Sequence, residues 1–267
     1  MAADRSGDTS LLLGTADVPP VHEDNAGGAS PFLLTSDHYG RAIPRILRDL
    51  GLPASEFERH IAWDIGIAGV ADALSRQLGA HLIAQRYSRL VIDCNRPPQA
   101  ASSIPVISEA TAIQANENLS REAVQARRRA IFDPYHRRIA EVIDRRLRDG
   151  MPTVLVSLHS FTPVYAGVIK PWHIGTLYQR DTRLPLLLLK GLRAEAGLVV
   201  GDNEPYAVSD ETDYTIPVHG EARGIMNTGI EIRQDLIAEA AGQQQWADRL
   251  ARIFAGIETT LRAQGSI

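Results

Sequence analysis

Only one cysteine, Cys94, occurs in 267 residues, which excludes a disulfide framework and any zinc site built from several cysteines. Charge of one sign is not in excess either. Against 32 Asp and Glu stand 28 Lys and Arg, a net charge of −4, so no basic field exists for a nucleic-acid backbone. Long apolar runs are missing. The longest, around Leu184 to Leu189, is strand-sized, far short of the roughly 18–20 residues a membrane helix needs. The N-terminus carries Asp4 and Arg5 and only a short Leu11-Leu12-Leu13 patch, unlike a secretory signal. No GxxxxGK[ST] loop, no GxGxxG after a strand, no HExxH and no GxSxG elbow appears, which disfavours P-loop, dinucleotide-binding, thermolysin-type and serine-hydrolase chemistry. These exclusions leave a soluble cytoplasmic protein as the expectation, with neither nucleic acid nor membrane as partner.

What is present is an ordinary globular composition, 44% apolar, in alternating strand-like and helix-like segments. Residues 1–30 read as an arm that packs on the domain or on a partner subunit, the latter implying a homo-oligomer. Residues 31–267 read as one α/β domain. Strands are expected at 31–35, 81–84, 89–94, 153–158, 184–189, 198–200 and 228–232. Helices are expected from Pro44 to Leu50, from Ile61 to Leu78, from a cap at Asn118 or Ser120 to Gly150 with a break at Pro134, and from Asp235 to Arg262. This order predicts three layers: a central mixed, mostly parallel sheet with helices on both faces.

Ligands of open α/β sheets bind beyond the carboxyl ends of strands. Four expected strands end in residues able to do chemistry: Asp37-His38, Asp93 with Asn95-Arg96, His159-Ser160, and Glu231 with Arg233. His38 and His159 are the best metal candidates, since neutral imidazole is a good zinc ligand. In GIEIR, Glu231 points opposite to Ile230 and Ile232. The pattern leaves two readings open, an ion pair with Arg233 or a general base. Arg89, Asn95 and Arg96 either bind an acidic substrate or form a network with Asp93. Cys94 reads as a packing residue. His219 could line a site, whereas His136 reads as structural.

The ordered set TSDHYGRAIP, HIAWDIGIAGVADAL, YSRLVIDCNRPP, DPYH, VSLHSF, GDNEPY and GIEIRQDL resembles the N-formylglutamate amidohydrolases, over about Pro31 to Leu261. That family is related to the zinc carboxypeptidases and to the aspartoacylase-type deacylases. The resemblance implies a single zinc-carboxypeptidase-like α/β domain with zinc, or another divalent metal, at the strand ends. It implies His38 and His159 as ligands, with Asp64 as the first choice for the third and Asp37 as the second. The residue three beyond His38 is Arg41, so the HxxE ligand pair of the carboxypeptidase relatives is absent. The resemblance further implies Glu231 as the general base acting on a zinc-bound water, and Arg89, Asn95 and Arg96 as substrate-binding residues, with a less defined role for Arg233. The activity implied is hydrolysis of a small anionic N-acyl amino acid, N-formyl-L-glutamate first, to formate and L-glutamate. The alternatives are another N-acyl acidic amino acid or a small peptide as substrate, or a non-catalytic binding protein on the same scaffold.

Overall fold

The computed structural model describes residues 11–267. The main sheet is built from β1 (Val21–Asp24), β2 (Phe32–Ser36), β3 (His81–Gln85), β4 (Val154–Phe161), β5 (Ile174–Leu177), β6 (Val200–Asp202) and β7 (Met226–Arg233). Their spatial order is β1-β3-β2-β4-β7-β5-β6. The four central strands β3, β2, β4 and β7 run parallel, β1 lies antiparallel at one edge, and β5 and β6 run antiparallel to β7. Every residue of β2 and β4 is buried, which is why their sequences read as apolar runs: both faces are covered.

Pleating divides each central strand between two cores. Phe32, Leu34, Val154, Val156, Leu158, Ile230 and Ile232 face a layer formed by α1 (Ile67–Leu78), α4 (Arg183–Arg193) and α5 (Ala240–Ala263). Leu33, Ile83 and Leu155 face the opposite layer, which contains α3 (Asp133–Arg148) and the loops around it. Between Ser120 and α3 lies α2 (Arg121–Arg127), whose cap is the Ser120 hydroxyl accepting from Ala123 N. Ser157, His159 and Glu231 alternate onto the α3 side. The expected three-layer α/β domain with a mixed sheet is therefore the observed one.

Several local expectations are corrected. Leu184–Leu189 is helical: Leu184, Leu188 and Leu192 repeat at four-residue intervals on the buried side of α4 while Leu186 is exposed, and leucine favours helix. Arg89–Cys94 is a buried turn segment rather than a strand. Its groups are bonded by other partners, with Asn116 Nδ2 donating to the Leu90 carbonyl, Arg127 Nη1 to the Val91 carbonyl, and Asp93 N to the Ser103 carbonyl. The helix expected from Ile61 begins only at Ile67. Gly66 precedes it at φ +80°, and a Cβ there would meet the Ile237 carbonyl. The break expected at Pro134 is a π turn over Arg128–Phe132, which accommodates a residue that lacks an N–H. The first helix shrinks to a 3-10 turn at Arg45–Leu47, and the last starts at Ala240 rather than Asp235. Within the stretch expected to be an arm, Val21–Asp24 pairs with β3, so the sheet begins ahead of Pro31; residues 1–10 of that stretch lie outside the described residues. Among the described residues, no helix is long and apolar enough to cross a membrane.

Arg127 ties the 86–117 loop to the domain. Fully buried, it donates to the Val91 carbonyl at 2.9 Å and to Asn116 Oδ1 at 2.7 Å. Arg127→Met would leave both acceptors unpaired in the interior. A loss of about 2–4 kcal/mol is expected, read from urea unfolding. A loss below about 0.5 kcal/mol would show that the loop is held by other contacts.

Candidate metal and catalytic centre

The parallel strands deliver their carboxyl ends to one edge of the sheet, and the candidate residues gather there. In the β4–β7 register His159 lies directly beside Glu231, and Ser157 beside Gly229. His38 follows β2, Asp64 precedes the turn into α1, and the 86–117 loop brings Asp93, Asn95 and Arg96 over them. Together they line a cavity of about 580 Å³. Gly229 keeps its floor open, since even a Cβ there would lie 3.2 Å from that of Leu177.

His38, Asp64 and His159 each aim a ligand-type atom at a common point, all within 4.8 Å of one another. Asp64 Oδ2 lies 3.0 Å from His159 Nδ1 and 3.5 Å from His38 Nδ1, and accepts from Ser160 N at 3.1 Å. The far nitrogen of each imidazole meets a carboxylate: His38 Nε2 lies 2.7 Å from Asp93 Oδ1, and His159 Nε2 3.1 Å from Asp37 Oδ2. Carboxylates commonly hold the far nitrogen of metal-binding histidines in this way. Among the described residues, buried His38 Nδ1 has no hydrogen-bond partner, and neither has Glu231 Oε2. Asp64 and Asp93 meet the Arg89 guanidinium and Glu231 lies within its field, while Asp37 backs His159, so buried carboxylates outnumber the permanent cation there, an arrangement that a bound cation relieves. The donor set and the two orphaned atoms fit a divalent metal. Asp37 sits behind His159, accepting also from Ser157 and Thr215.

Electrostatics follow from this crowding. Burial alone would raise Asp37 and Asp64, but contact with His159 and His38 holds both well below the ordinary range. The imidazoles respond in kind: the acids raise both His38 and His159 against the effect of burial. Glu231 behaves oppositely. Burial pushes its carboxyl up to about 7, with nearby Asp64 adding to the rise.

The other residues singled out in the sequence divide. Arg89 spends its Nε and Nη2 on Asp93 at 3.1 and 2.7 Å, with Nη1 3.6 Å from Asp64. Arg96 lines the cavity, and among the described residues its hydrogen-bond partners are the carbonyls of Asn95 and Thr212. Asn95 is pinned, its Oδ1 accepting from Tyr214 N and Thr215 N and its Nδ2 donating to Asp213. Arg233 lies away from the cavity wall, bonded to Asp235 and the Pro171 carbonyl, so the ion pair with Glu231 does not form. His219 stacks on His136 in the interior, and burial makes both poor bases. Cys94 is buried, as a packing residue would be.

Sequence reasoning gave no separate role to Asp93 as the partner of His38, and passed over Ser157 and Thr215. Ser157 had a legible signal, standing two residues before His159 on one strand face. Thr215 had none, being 178 residues from Asp37.

Known proteins resemble this chain in sequence and in fold. The N-formylglutamate amidohydrolase family profile matches residues 30–238, a span that contains all of the residues that meet at the centre. An N-formylglutamate deformylase from Pseudomonas putida is 28% identical over 193 residues, 63% of this chain and 68% of that protein. Among solved structures, a gene product of Agrobacterium tumefaciens matches with a TM-score of 0.91 and 37% identity, over 94% of this chain and 99% of the other. N-formylglutamate amidohydrolase from Ralstonia eutropha JMP134 shares the fold, with a TM-score of 0.66 at 21% identity, over 92% and 100%. With the profile spanning most of the sequence, the chain belongs to the N-formylglutamate amidohydrolase family.

Proposed function

We propose that the chain hydrolyses N-formyl-L-glutamate to formate and L-glutamate, with a divalent cation, zinc first, held by His38, Asp64 and His159. The observation that carries this reading is Glu231. It is a buried carboxylate with an unpaired oxygen, in register beside His159 and facing the same cavity as the His-Asp-His cluster. When bound, the cation polarises the formyl carbonyl and acidifies water. Glu231 takes the proton of the attacking water as the C–O bond forms, and returns it to the amine nitrogen as the C–N bond breaks. Burial raises its carboxyl in the metal-free site, the direction that suits a carboxylate to take a proton and give it back near neutrality.

Asp93 and Asp37 hold the two imidazoles in orientation through their Nε2 atoms. Arg89 steadies Asp93 and adds positive charge to the site. Its fork is largely spent, so Arg96 is the side chain that takes the substrate α-carboxylate, with Asn95 fixing the loop beneath it. Arg96→Ala is expected to raise KM and to lower kcat/KM by about 2–4 kcal/mol equivalents for N-formyl-L-glutamate. An equal loss on the α-amide of that substrate would count against carboxylate binding.

The direct test measures bound metal and formate release on one purified sample. Stoichiometric zinc with chelator-sensitive turnover supports the whole reading. Zinc without turnover keeps the metal site and removes the substrate. Absence of both after reconstitution with zinc, manganese or cobalt overturns it.

A further inference from the structure

Lys170 is 8% exposed, yet among the described residues it closes no ion pair; the Glu231 and Glu204 carboxylates act on it only through space. A buried ammonium without an ion-pair partner is costly, and burial outweighs those two carboxylates in drawing its pKa down. Its surroundings are aromatic: Nζ lies 3.8 Å from the Tyr206 ring centroid and 5.2 Å from that of Tyr165. Cation–π contact offsets part of the cost. Nζ also donates a hydrogen bond to the Tyr206 hydroxyl oxygen. An ammonium has donors and no acceptor, so in this pair the Tyr206 oxygen must accept. The phenolic proton is then left to point elsewhere, and Tyr206 makes no other hydrogen bond among the described residues. Both Tyr165 and Tyr206 line the cavity that holds Glu231 and Arg96. The arrangement is therefore a free O–H donor at the cavity wall, with a buried positive charge directly behind it.

An O–H backed by an ammonium suits an anion, and the cavity offers few other cations to one. Arg89 is committed to Asp93, which leaves Arg96 for a single carboxylate. Resting on the amidohydrolase reading above, we propose that the Tyr206 hydroxyl, held and polarised by Lys170, binds the side-chain carboxylate of an N-formyl dicarboxylic amino acid while Arg96 holds the α-carboxylate. Tyr206 is then a specificity residue, and Lys170 a positioning residue that acts through it. The polar tip of Tyr206 and the hairpin Val164–Tyr165/Val168–Ile169, which carries Tyr165 and leads into Lys170, form one wall of the substrate site.

The test compares N-formyl-L-glutamate with N-formyl-L-glutamine, which keeps the α-carboxylate and loses only the side-chain charge. Wild type, Tyr206→Phe and Lys170→Met, all metal-loaded, are measured for equilibrium binding by calorimetry and for kcat and KM by formate release. Wild type should favour the glutamate compound by about 10- to 100-fold, mainly in binding and KM. Either substitution should erase most of that preference, with a loss on the glutamate compound clearly larger than the loss on the glutamine compound, whose amide oxygen makes only a neutral hydrogen bond. Equal binding of the two compounds by wild type would overturn the proposal, even if both are hydrolysed. Equal losses on both compounds in the variants would overturn it too, since they would mark a structural or a general catalytic role. Absence of turnover would instead sink the amidohydrolase reading, and the binding preference would still decide the role of Tyr206.

Discussion

Glu231→Gln is expected to lower formate release from N-formyl-L-glutamate by about 10²-fold or more, with folding and bound metal close to wild type. The amide keeps the shape of the side chain and loses the ability to take a proton from water. Because Glu231 is absent from the converging His38, Asp64 and His159 set, metal content should not follow activity down. Turnover within about threefold of wild type would remove Glu231 from the mechanism. The same variant carries a second expectation in chelator-treated protein. Burial raises the Glu231 carboxyl from an ordinary 4.5 to about 7, so the folded state binds this proton more tightly than the unfolded chain. The stabilisation from that proton is full below the unfolded value and is lost as pH rises through about 7. It amounts to about 3 kcal/mol at most. Metal-free Glu231→Gln should therefore melt above metal-free wild type at pH 8, with the difference shrinking toward pH 5. Identical melting at pH 8 would mean that the carboxylate is solvated.

Asp64→Asn should abolish stoichiometric metal binding, with affinity falling by more than the roughly 10–100-fold typical of removing an outer partner of a ligand. Asp64 Oδ2 is where the three donors meet, 3.0 Å from one imidazole and 3.5 Å from the other, and asparagine supplies neither the charge nor a second equivalent oxygen. Asp37→Asn is the control. Asp37 touches the outer nitrogen of His159, so its loss should cost only about 10–100-fold. Elemental analysis and chelator competition on both variants decide between the two acids, and a larger loss in Asp37→Asn would exchange their roles. In metal-free protein Asp64→Asn also removes the carboxylate from two buried imidazoles, and about 3–5 kcal/mol of stability is expected to go with it. Activity should therefore be compared at temperatures where both variants are folded.

How far the site could be read from the chain depended on distance along it. His159 and Glu231 were legible because each sits in an apolar strand whose period of two sets a polar side chain against its neighbours. Asp37-His38 was legible as a polar pair closing an apolar run. The 89–94 segment was misread for the converse reason: Leu90, Val91 and Ile92 are all buried, as in a strand, but their backbone groups are bonded by Asn116 and Arg127 from far along the chain. Leu184–Leu189 was misread because a short leucine run carries no period by itself. Only the surfaces of the sheet and of α5 against which it packs show which side of it is buried.

Composition and periodicity act locally, so the fold class, the strand ends on which chemistry could sit and the residue types available there are legible in the chain. Tertiary structure alone decided which of those residues meet. It placed Asp64 between the two imidazoles and Asp37 behind one of them, turned Arg233 away to Asp235, committed Arg89 to Asp93, and set Lys170 beneath Tyr206. These outcomes hang on strand register, on which parallel neighbours close over the sheet edge, and on how loops from residues 86–117 and 206–216 fold back across it. Contacts between groups some tens to 178 residues apart leave no periodic trace in the chain, because they are fixed by packing rather than by neighbouring residues.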